Sequence, residues 1–164
     1  MTLVAGVRAL VAAIQSSAGA GDAGKIPALD AAGKLDTTMM PTGVGAETKS
    51  LATSESLAAG DLVNIYDATG TSTARKADAT TAGKEAHGFV LAGSTSPGPA
   101  TVYLAGINTQ CTGLTAGPQA LAITAGKCVS IASAPASAGN VNQFVGVALS
   151  ATELDFVPGE PVTQ

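Results

Sequence analysis

The sequence predicts a mainly β protein, in which a single antiparallel β-barrel or sandwich follows an extended N-terminal arm with a short helix. Three observations lead to this fold class. Short apolar runs separated by turn residues fill the chain after residue 50, the residues before that point are rich in Gly, Ala and Ser, and only the first residues show helical apolar spacing. We therefore expect an arm over residues 1–49 and a β-domain over residues 50–164.

The arm begins with a candidate helix. Residues 2–15, TLVAGVRALVAAIQ, place apolar side chains three and four residues apart, which gives a helix one apolar stripe. Gly6 and several β-branched residues weaken this helix, and so short a helix is marginal in water, so the stripe has to pack on another surface. No basic segment precedes the apolar stretch and Arg8 interrupts it, so we interpret this start as mature, non-secreted sequence.

A linker and an imperfect tandem repeat follow the candidate helix. Residues 16–24 contain too much Gly, Ala and Ser to bury surface and are predicted to be a linker. In both copies of the repeat, within residues 22–36, Asp and Gly predict a tight turn, and the Lys and aliphatic residue after them predict extended chain. Pro27 restricts Ile26 to extended conformations and cannot donate to a sheet, which favours an edge or an arm over a central strand. Residues 37–41, TTMMP, are expected to continue in extended form.

The apolar residues of the arm are the candidate partner-binding residues, because little else in the arm can cover them. For Met39 and Met40 two interpretations stay open: core filler, or part of a segment that docks on a partner surface. The full candidate set, which we expect to be buried against a neighbouring subunit or another protein, is Leu3, Val7, Leu10, Val11, Ile14, Ile26, Leu29, Leu35, Met39 and Met40.

Eight apolar runs after residue 50 predict the strands of the β-domain. They recur roughly every 8–14 residues, with Gly or Pro at most junctions, as is typical of barrels and sandwiches. Residues 89–91, 102–104 and 144–149 are expected to supply most of the core. The predicted strands are residues 62–66, 73–77, 87–92, 100–105, 119–123, 127–132, 143–149 and 153–157.

Composition argues against several classes of function. With 8 Lys and Arg against 12 Asp and Glu, the net charge of −4 disfavours a basic nucleic-acid-binding surface. No apolar run approaches the roughly 18 residues of a membrane-spanning helix. A single His, few carboxylates and no G-x-S-x-G motif leave little from which to build a catalytic, cofactor or metal site, so we expect none of these and a non-enzymatic protein. We interpret His87 as a surface or turn residue.

Two further groups of residues admit alternatives. Cys111 and Cys128 match no metal-binding spacing, and they are either small buried hydrophobic residues in a reducing compartment or one disulfide between adjacent strands. Residues 75–78, RKAD, and 84–85, KE, form a charged cluster of mixed sign. This cluster is either a solvated face or a salt-bridged contact to a neighbouring subunit.

Residues 24–45, GKIPALDAAGKLDTTMMPTGVG, resemble the G-K-[IL]…L-D-x-x-G-[KR]-[IL]-D…M-M-P-x-G-[IV]-G stretch of tailed-bacteriophage virion proteins. The likeness extends over most of residues 22–162, and it depends on the order and spacing of the motifs more than on any single one. The pieces that resemble the β-domain often found after this stretch are GDLVNIY (60–66), RKADA (75–79), GKEAHGFVL (83–91) and ATVYLAG (100–106).

The resemblance implies a structural protein of the virion, most similar to a head decoration (capsid cement) protein, and no catalytic residue carries over. Its expected partners are the major capsid protein and further copies of itself, with a trimer favoured over a dimer, and neither nucleic acid nor membrane. Its expected location is the capsid exterior, after synthesis in the cytoplasm of the bacterial host. The alternative is a tail-fibre, baseplate or other tail-associated adaptor, although the chain lacks a long shaft. A second alternative is a carbohydrate-binding β-module, for which only Tyr66, Tyr103 and three Phe are present to stack on sugars.

Overall fold

A computed structural model describes residues 13–40 and 45–164 of the chain. The chain divides into two compact units, Met1–Gly45 and Ala46–Gln164, called here the N-terminal unit and the C-terminal unit. Most of the helix predicted over residues 2–15 lies outside the described residues. Its described end is a short strand, β1 (Ala13–Ile14), and not helix.

The described part of the N-terminal unit consists of tight turns and one strand pair. β1 pairs in parallel with β2 (Ile26–Pro27), so Pro27 lies in a two-stranded edge arrangement as predicted. A 3₁₀ turn, Ala20–Asp22, lies within the predicted linker. A second, Thr37–Met39, replaces the extended chain expected there, because the Asp36 carboxylate caps the main-chain N–H of Thr38.

The C-terminal unit contains a closed barrel of five strands. The order around the barrel is β3, β5, β4, β6 and β7, so β5 lies between β3 and β4. These strands are β3 (Thr48–Thr53), β4 (Leu62–Ala68), β5 (Thr71–Lys76), β6 (Gly88–Val90) and β7 (Pro99–Tyr103).

One strand pair corrects the prediction of a purely antiparallel barrel. β3 runs parallel to β5, with Ala52 opposite Thr73, whereas the other pairs in the barrel are antiparallel. The reason is the odd number of strands, because neighbouring strands in a closed ring of five cannot all run in opposite directions. Antiparallel pairs lead from β3 through β7, β6 and β4 to β5, so β5 runs in the same direction as β3 where the two close the barrel.

A second antiparallel sheet follows the barrel in the chain, with the strand order β10, β9, β12, β13 and β8. A further pair, β11 with β14, and a 3₁₀ turn, Ile131–Ser133, complete the unit. These strands are β8 (Gly106–Asn108), β9 (Gly117–Leu121), β10 (Cys128–Ser130), β11 (Val141–Asn142), β12 (Phe144–Ala148), β13 (Leu154–Phe156) and β14 (Val162–Thr163).

The prediction of a mainly β chain with a barrel is confirmed, and each of the eight predicted strands overlaps an observed one. The expectation of a single barrel or sandwich is too simple, because the C-terminal unit has a barrel and a separate sheet. Four strands of this unit were not predicted: β3, β8, and the two-residue strands β11 and β14. β3 contains a single large apolar residue, Leu51, and β8 is only three residues long, so neither produces a clear apolar run.

Two apolar clusters form the core of the C-terminal unit. One comes from the barrel strands and the loop after β3, and includes Leu51, Val63 and Val102. The other joins the barrel to the second sheet, where the rings of Phe89 and Phe156 meet edge to face with centroids 5.6 Å apart. The barrel and the second sheet therefore share a core.

Candidate functional site

The predicted partner-binding residues fall into three groups. Leu3, Val7, Leu10 and Val11 lie outside the described residues. Ile14 and Met39 are half-buried. The remaining four are exposed: Ile26 by 56%, Leu29 by 57%, Leu35 by 36% and Met40 by 37%.

Two aspartates, Asp22 and Asp30, organise the turns of the tandem repeat, next to these apolar residues. The Asp22 carboxylate accepts the main-chain N–H of Ala18 at 2.7 Å and pairs with Lys25 at 2.5 Å. Asp30 accepts the N–H groups of Ala32 and Lys34, both at 2.8 Å. The tight turns predicted from the tandem repeat are therefore confirmed.

Glycine completes both copies of this turn. Gly24 and Gly33 have φ values of +82° and +72°, which favour glycine because it has no Cβ.

The hydrogen bonds that Asp22 and Asp36 accept also lower the pKa of each carboxyl group. For Asp22 the donors are Lys25 and the N–H of Ala18, and for Asp36 they are the hydroxyl and main-chain N–H of Thr38. Both carboxylates are therefore charged at neutral pH, and in this form they accept the hydrogen bonds that hold the turns.

No residue in the range 13–40 is buried. Polar contacts in this range join exposed groups, such as the Gln15 side chain and the carbonyl of Leu29, or the N–H of Ser17 and the Thr38 hydroxyl. The described part of the N-terminal unit therefore has a defined backbone but no apolar core of its own.

The mixed-sign cluster of residues 75–85 makes contacts within the chain. Arg75 stacks on Tyr66, with its guanidinium carbon 4.2 Å from the ring centroid, and donates to the carbonyl of Gly83 at 2.5 Å. Lys84 pairs with the buried Asp78 at 2.9 Å. These contacts hold the segment between β5 and β6 against the barrel.

Asp61 is a second buried carboxylate and joins three parts of the fold. It is 1% exposed. Its oxygens accept the N–H of Ala58 at 2.9 Å and the ammonium of Lys127 at 2.7 Å, and Lys76 lies 3.7 Å away. Asp61 thus connects the barrel to the turn between β9 and β10, and its charge is compensated within the chain.

His87 is exposed, as predicted. Its Nδ1 accepts the main-chain N–H of Ile65 at 3.0 Å, which places the proton of the neutral ring on Nε2. Within residues 13–40 and 45–164, no three His, Cys, Asp or Glu side chains come together to hold a metal ion.

Both cysteines are free thiols that line one cavity of about 300 Å³. Cys111 is buried and Cys128 half-buried, and both contact the core cluster shared by the barrel and the second sheet. Burial raises the pKa of Cys111, and burial together with the nearby Cys111 thiol raises the pKa of Cys128 to about 12. The two thiols are therefore protonated at neutral pH, in accord with the interpretation as small hydrophobic residues.

The aromatic side chains are buried or half-buried: Phe89 and Phe156 are buried, and Tyr66, Tyr103 and Phe144 are half-buried. All five of the chain lie in the described part, and none is exposed. Tyr103 stacks on Phe89 with centroids 5.4 Å apart, and Tyr66 lies under Arg75. The chain thus offers no exposed ring on which a sugar could stack.

Comparison with models of protein families, with curated proteins and with solved structures finds no match to this chain. In the part of the chain that the structure describes, no helix has the length and apolarity to cross a membrane.

Proposed function

We propose that this chain is a non-enzymatic structural protein of a tailed-bacteriophage virion, which binds the outer surface of the assembled capsid and stabilises it. One observation carries the proposal. The described N-terminal unit holds Ile26, Leu29, Leu35 and Met40 exposed on ordered turns, although it has no core for them. The resemblance of residues 24–45 to phage virion proteins supports the same function.

In such a protein the two units have different roles: one contains the core and the other contacts the partner. The C-terminal unit contains both core clusters, and we expect it to fold without the N-terminal unit. The N-terminal unit supplies apolar side chains, each worth about 1.5–3 kcal/mol when fully buried, from which the cost of ordering the partners is subtracted. Many copies on one shell stabilise the assembled state over the disassembled one, because they bind only the former.

The proposed partners are the major capsid protein and further copies of this chain, and the proposed location is the capsid exterior. A trimer is favoured, because three-fold positions recur on phage shells and the exposed aliphatic residues need a neighbour. The net charge of −4 favours a protein partner over packaged DNA. The protonated thiols suit a protein made in the reducing host cytoplasm.

Purified shells that lack the protein provide the test. Wild-type chain is mixed with shells and with isolated tails, each sample is sedimented, and the bound protein is located by electron microscopy. We expect symmetric density on the head exterior and none on tails. Density on tails alone would contradict the proposal and support the tail-associated adaptor. Sedimentation equilibrium of the free protein tests the trimer, and a monomer at micromolar concentration would contradict it.

A further inference from the structure

The second sheet presents one face to the core and one to solvent. β8, β13 and β12 are neighbours, and their register places Ile107 opposite Asp155 and Asp155 opposite Val147. These three side chains therefore form one row on the same face of the sheet. Leu149 lies two residues beyond Val147, and its N–H bonds to the carbonyl of Glu153, which extends the row into a patch.

Burial separates the two faces clearly. The adjacent residues Ala148, Leu154 and Phe156 are at most 2% exposed and point to the core. The aliphatic side chains of the outer patch are exposed: Ile107 by 48%, Val147 by 39%, Leu149 by 52% and Val157, directly after β13, by 58%. We call this patch the acidic–aliphatic face; its residues are Ile107, Val147, Leu149, Glu153, Asp155 and Val157.

The charge on this face has one sign. Residues 104–164 contain three carboxylates, Glu153, Asp155 and Glu160, and a single cationic residue, Lys127. The ammonium of Lys127 is already bound to the buried Asp61 at 2.7 Å. Among the described residues, no Lys or Arg forms an ion pair with Glu153 or Asp155. The face thus combines exposed aliphatic side chains with carboxylates that lack a cation.

We propose that the acidic–aliphatic face is a docking surface for a protein segment that alternates aliphatic residues with Lys or Arg. Aliphatic partners would bury the four exposed side chains, and cationic partners would compensate Glu153 and Asp155, which would otherwise lose hydration without a counter-charge. The same face of a second copy would bring like carboxylates together, and DNA would be repelled by them. The proposal rests on the proposed function only in taking the segment to belong to a virion protein.

A synthetic probe tests the face without knowledge of the natural partner. The full chain, labelled at Ile, Leu and Val methyl groups, is titrated with a short peptide of alternating valine and lysine, and separately with its valine–glutamate counterpart. We expect the lysine peptide to shift the methyl signals of Ile107, Val147, Leu149 and Val157 first, with an affinity that falls as salt is added. The glutamate peptide should leave them unchanged.

Two matched pairs of variants make the result specific. Asp155→Asn should weaken binding of the lysine peptide by roughly threefold to tenfold. Asp67→Asn, the same change on the exposed hairpin between β4 and β5, should not, and its amide oxygen can still accept the N–H of Gly70. Val157→Thr should weaken binding more than Val162→Thr, since the two valines are 58% and 59% exposed but only Val157 lies on the face.

Three results would overturn the proposal. The first is that the lysine peptide shifts none of the methyl signals of the face, and the second is that both peptides bind with equal affinity. The third is that Asp155→Asn and Asp67→Asn weaken binding of the lysine peptide equally. Shifts of the same methyl signals on concentrating the protein alone would assign the face to a second copy instead, and would overturn it too. Failure of the chain to bind shells, with peptide binding intact, would contradict the proposed function and leave the docking surface standing.

Discussion

The side-chain amide of Gln143 and the main chain of Ala86 exchange two hydrogen bonds. Gln143 Oε1 accepts the N–H of Ala86 at 2.8 Å, and Gln143 Nε2 donates to the carbonyl of Ala86 at 3.0 Å. Both residues are buried. Gln143 lies just before β12 of the second sheet, and Ala86 lies just before β6 of the barrel. The pair therefore joins the sheet to the barrel, and its two hydrogen bonds resemble those between paired residues of neighbouring β-strands.

Gln143→Ala should therefore destabilise the C-terminal unit by about 2–4 kcal/mol, because it leaves two buried main-chain groups without partners and opens a cavity. Urea denaturation followed by circular dichroism measures this change. Gln110→Ala is the control, since Gln110 is exposed and its side chain donates only to the Thr109 hydroxyl, at 3.4 Å. Equal unfolding midpoints for the two variants would show that the Gln143 pair does not stabilise the fold.

Gly60, in the loop before β4, packs against the main chain of Gln110 in the segment after β8. A Cβ at this position would lie 2.1 Å from the carbonyl oxygen of Gln110, which belongs to the backbone and cannot move aside. Gly60→Ala should cost about 3 kcal/mol or more. Gly70→Ala is a matched control, because the φ values of +85° and +86° are alike and no atom lies within 4 Å of a Cβ at Gly70.

The comparison with Gly70→Ala separates the clash with Gln110 from the cost of the left-handed backbone conformation. Gly70→Ala should cost only the left-handed conformation, about 1–2 kcal/mol. Thermal melting of both variants gives the difference directly. A melting temperature of Gly60→Ala equal to or above that of Gly70→Ala would contradict the close approach.

Asp78 makes stability depend on pH. Burial raises the pKa of Asp78, but the hydrogen bonds from Thr80 and the pairing with Lys84 outweigh burial and lower the pKa below its usual value of 3.8. A carboxylate whose native pKa is lowered stabilises the fold above the unfolded-state pKa, and that contribution is lost as pH falls through the native pKa.

Asp78→Asn should thus destabilise the protein by about 1–2 kcal/mol at neutral pH, and the difference from wild type should shrink below about pH 3.8. Chemical denaturation at a series of pH values measures it. Asp67→Asn serves as the control, because Asp67 is exposed and its carboxylate contacts only the turn N–H of Gly70. A difference between Asp78→Asn and wild type that stays constant down to acidic pH would contradict the assignment.

Sequence patterns predicted the strands better than their arrangement. Turn residues between apolar runs located eight strands, because alternation and turn chemistry are local properties. The position of β5 between β3 and β4 is a long-range pairing that no local pattern encodes. β3 was missed because its residues are mostly polar, and only Leu51 and Thr53 reach the core.

The apolar pattern of the sequence did not predict the exposed acidic–aliphatic face, for a different reason. Residues 144–149, FVGVAL, form a continuous apolar run and predict a buried strand. In the fold, the register of β12 against β9 shifts between Phe144 and Gly146, so Val145 is buried while Val147, two residues on, is exposed. The sign of this irregularity in the sequence is Gly146, since a glycine inside an apolar strand pattern indicates a bulge, and its φ in the fold is +140°.

In the N-terminal unit, the sequence located the turns but not what covers the aliphatic residues. The Asp and Gly of the repeat predicted the turns at Asp22 and Asp30, because these residues stabilise turns through their own side chains and backbone. The identity of a partner is not a local property, so the predicted role of Ile26, Leu29, Leu35 and Met40 stays a prediction.

Removal of residues 1–45 tests most directly whether the N-terminal unit carries shell binding and the C-terminal unit carries stability. Both core clusters lie within residues 46–164. The truncated chain should therefore melt within a few degrees of wild type, whereas its occupancy on purified shells, measured by co-sedimentation and electron microscopy, should fall to a small fraction of the wild-type value. Wild-type occupancy by the truncated chain, or loss of its cooperative melting, would contradict the account.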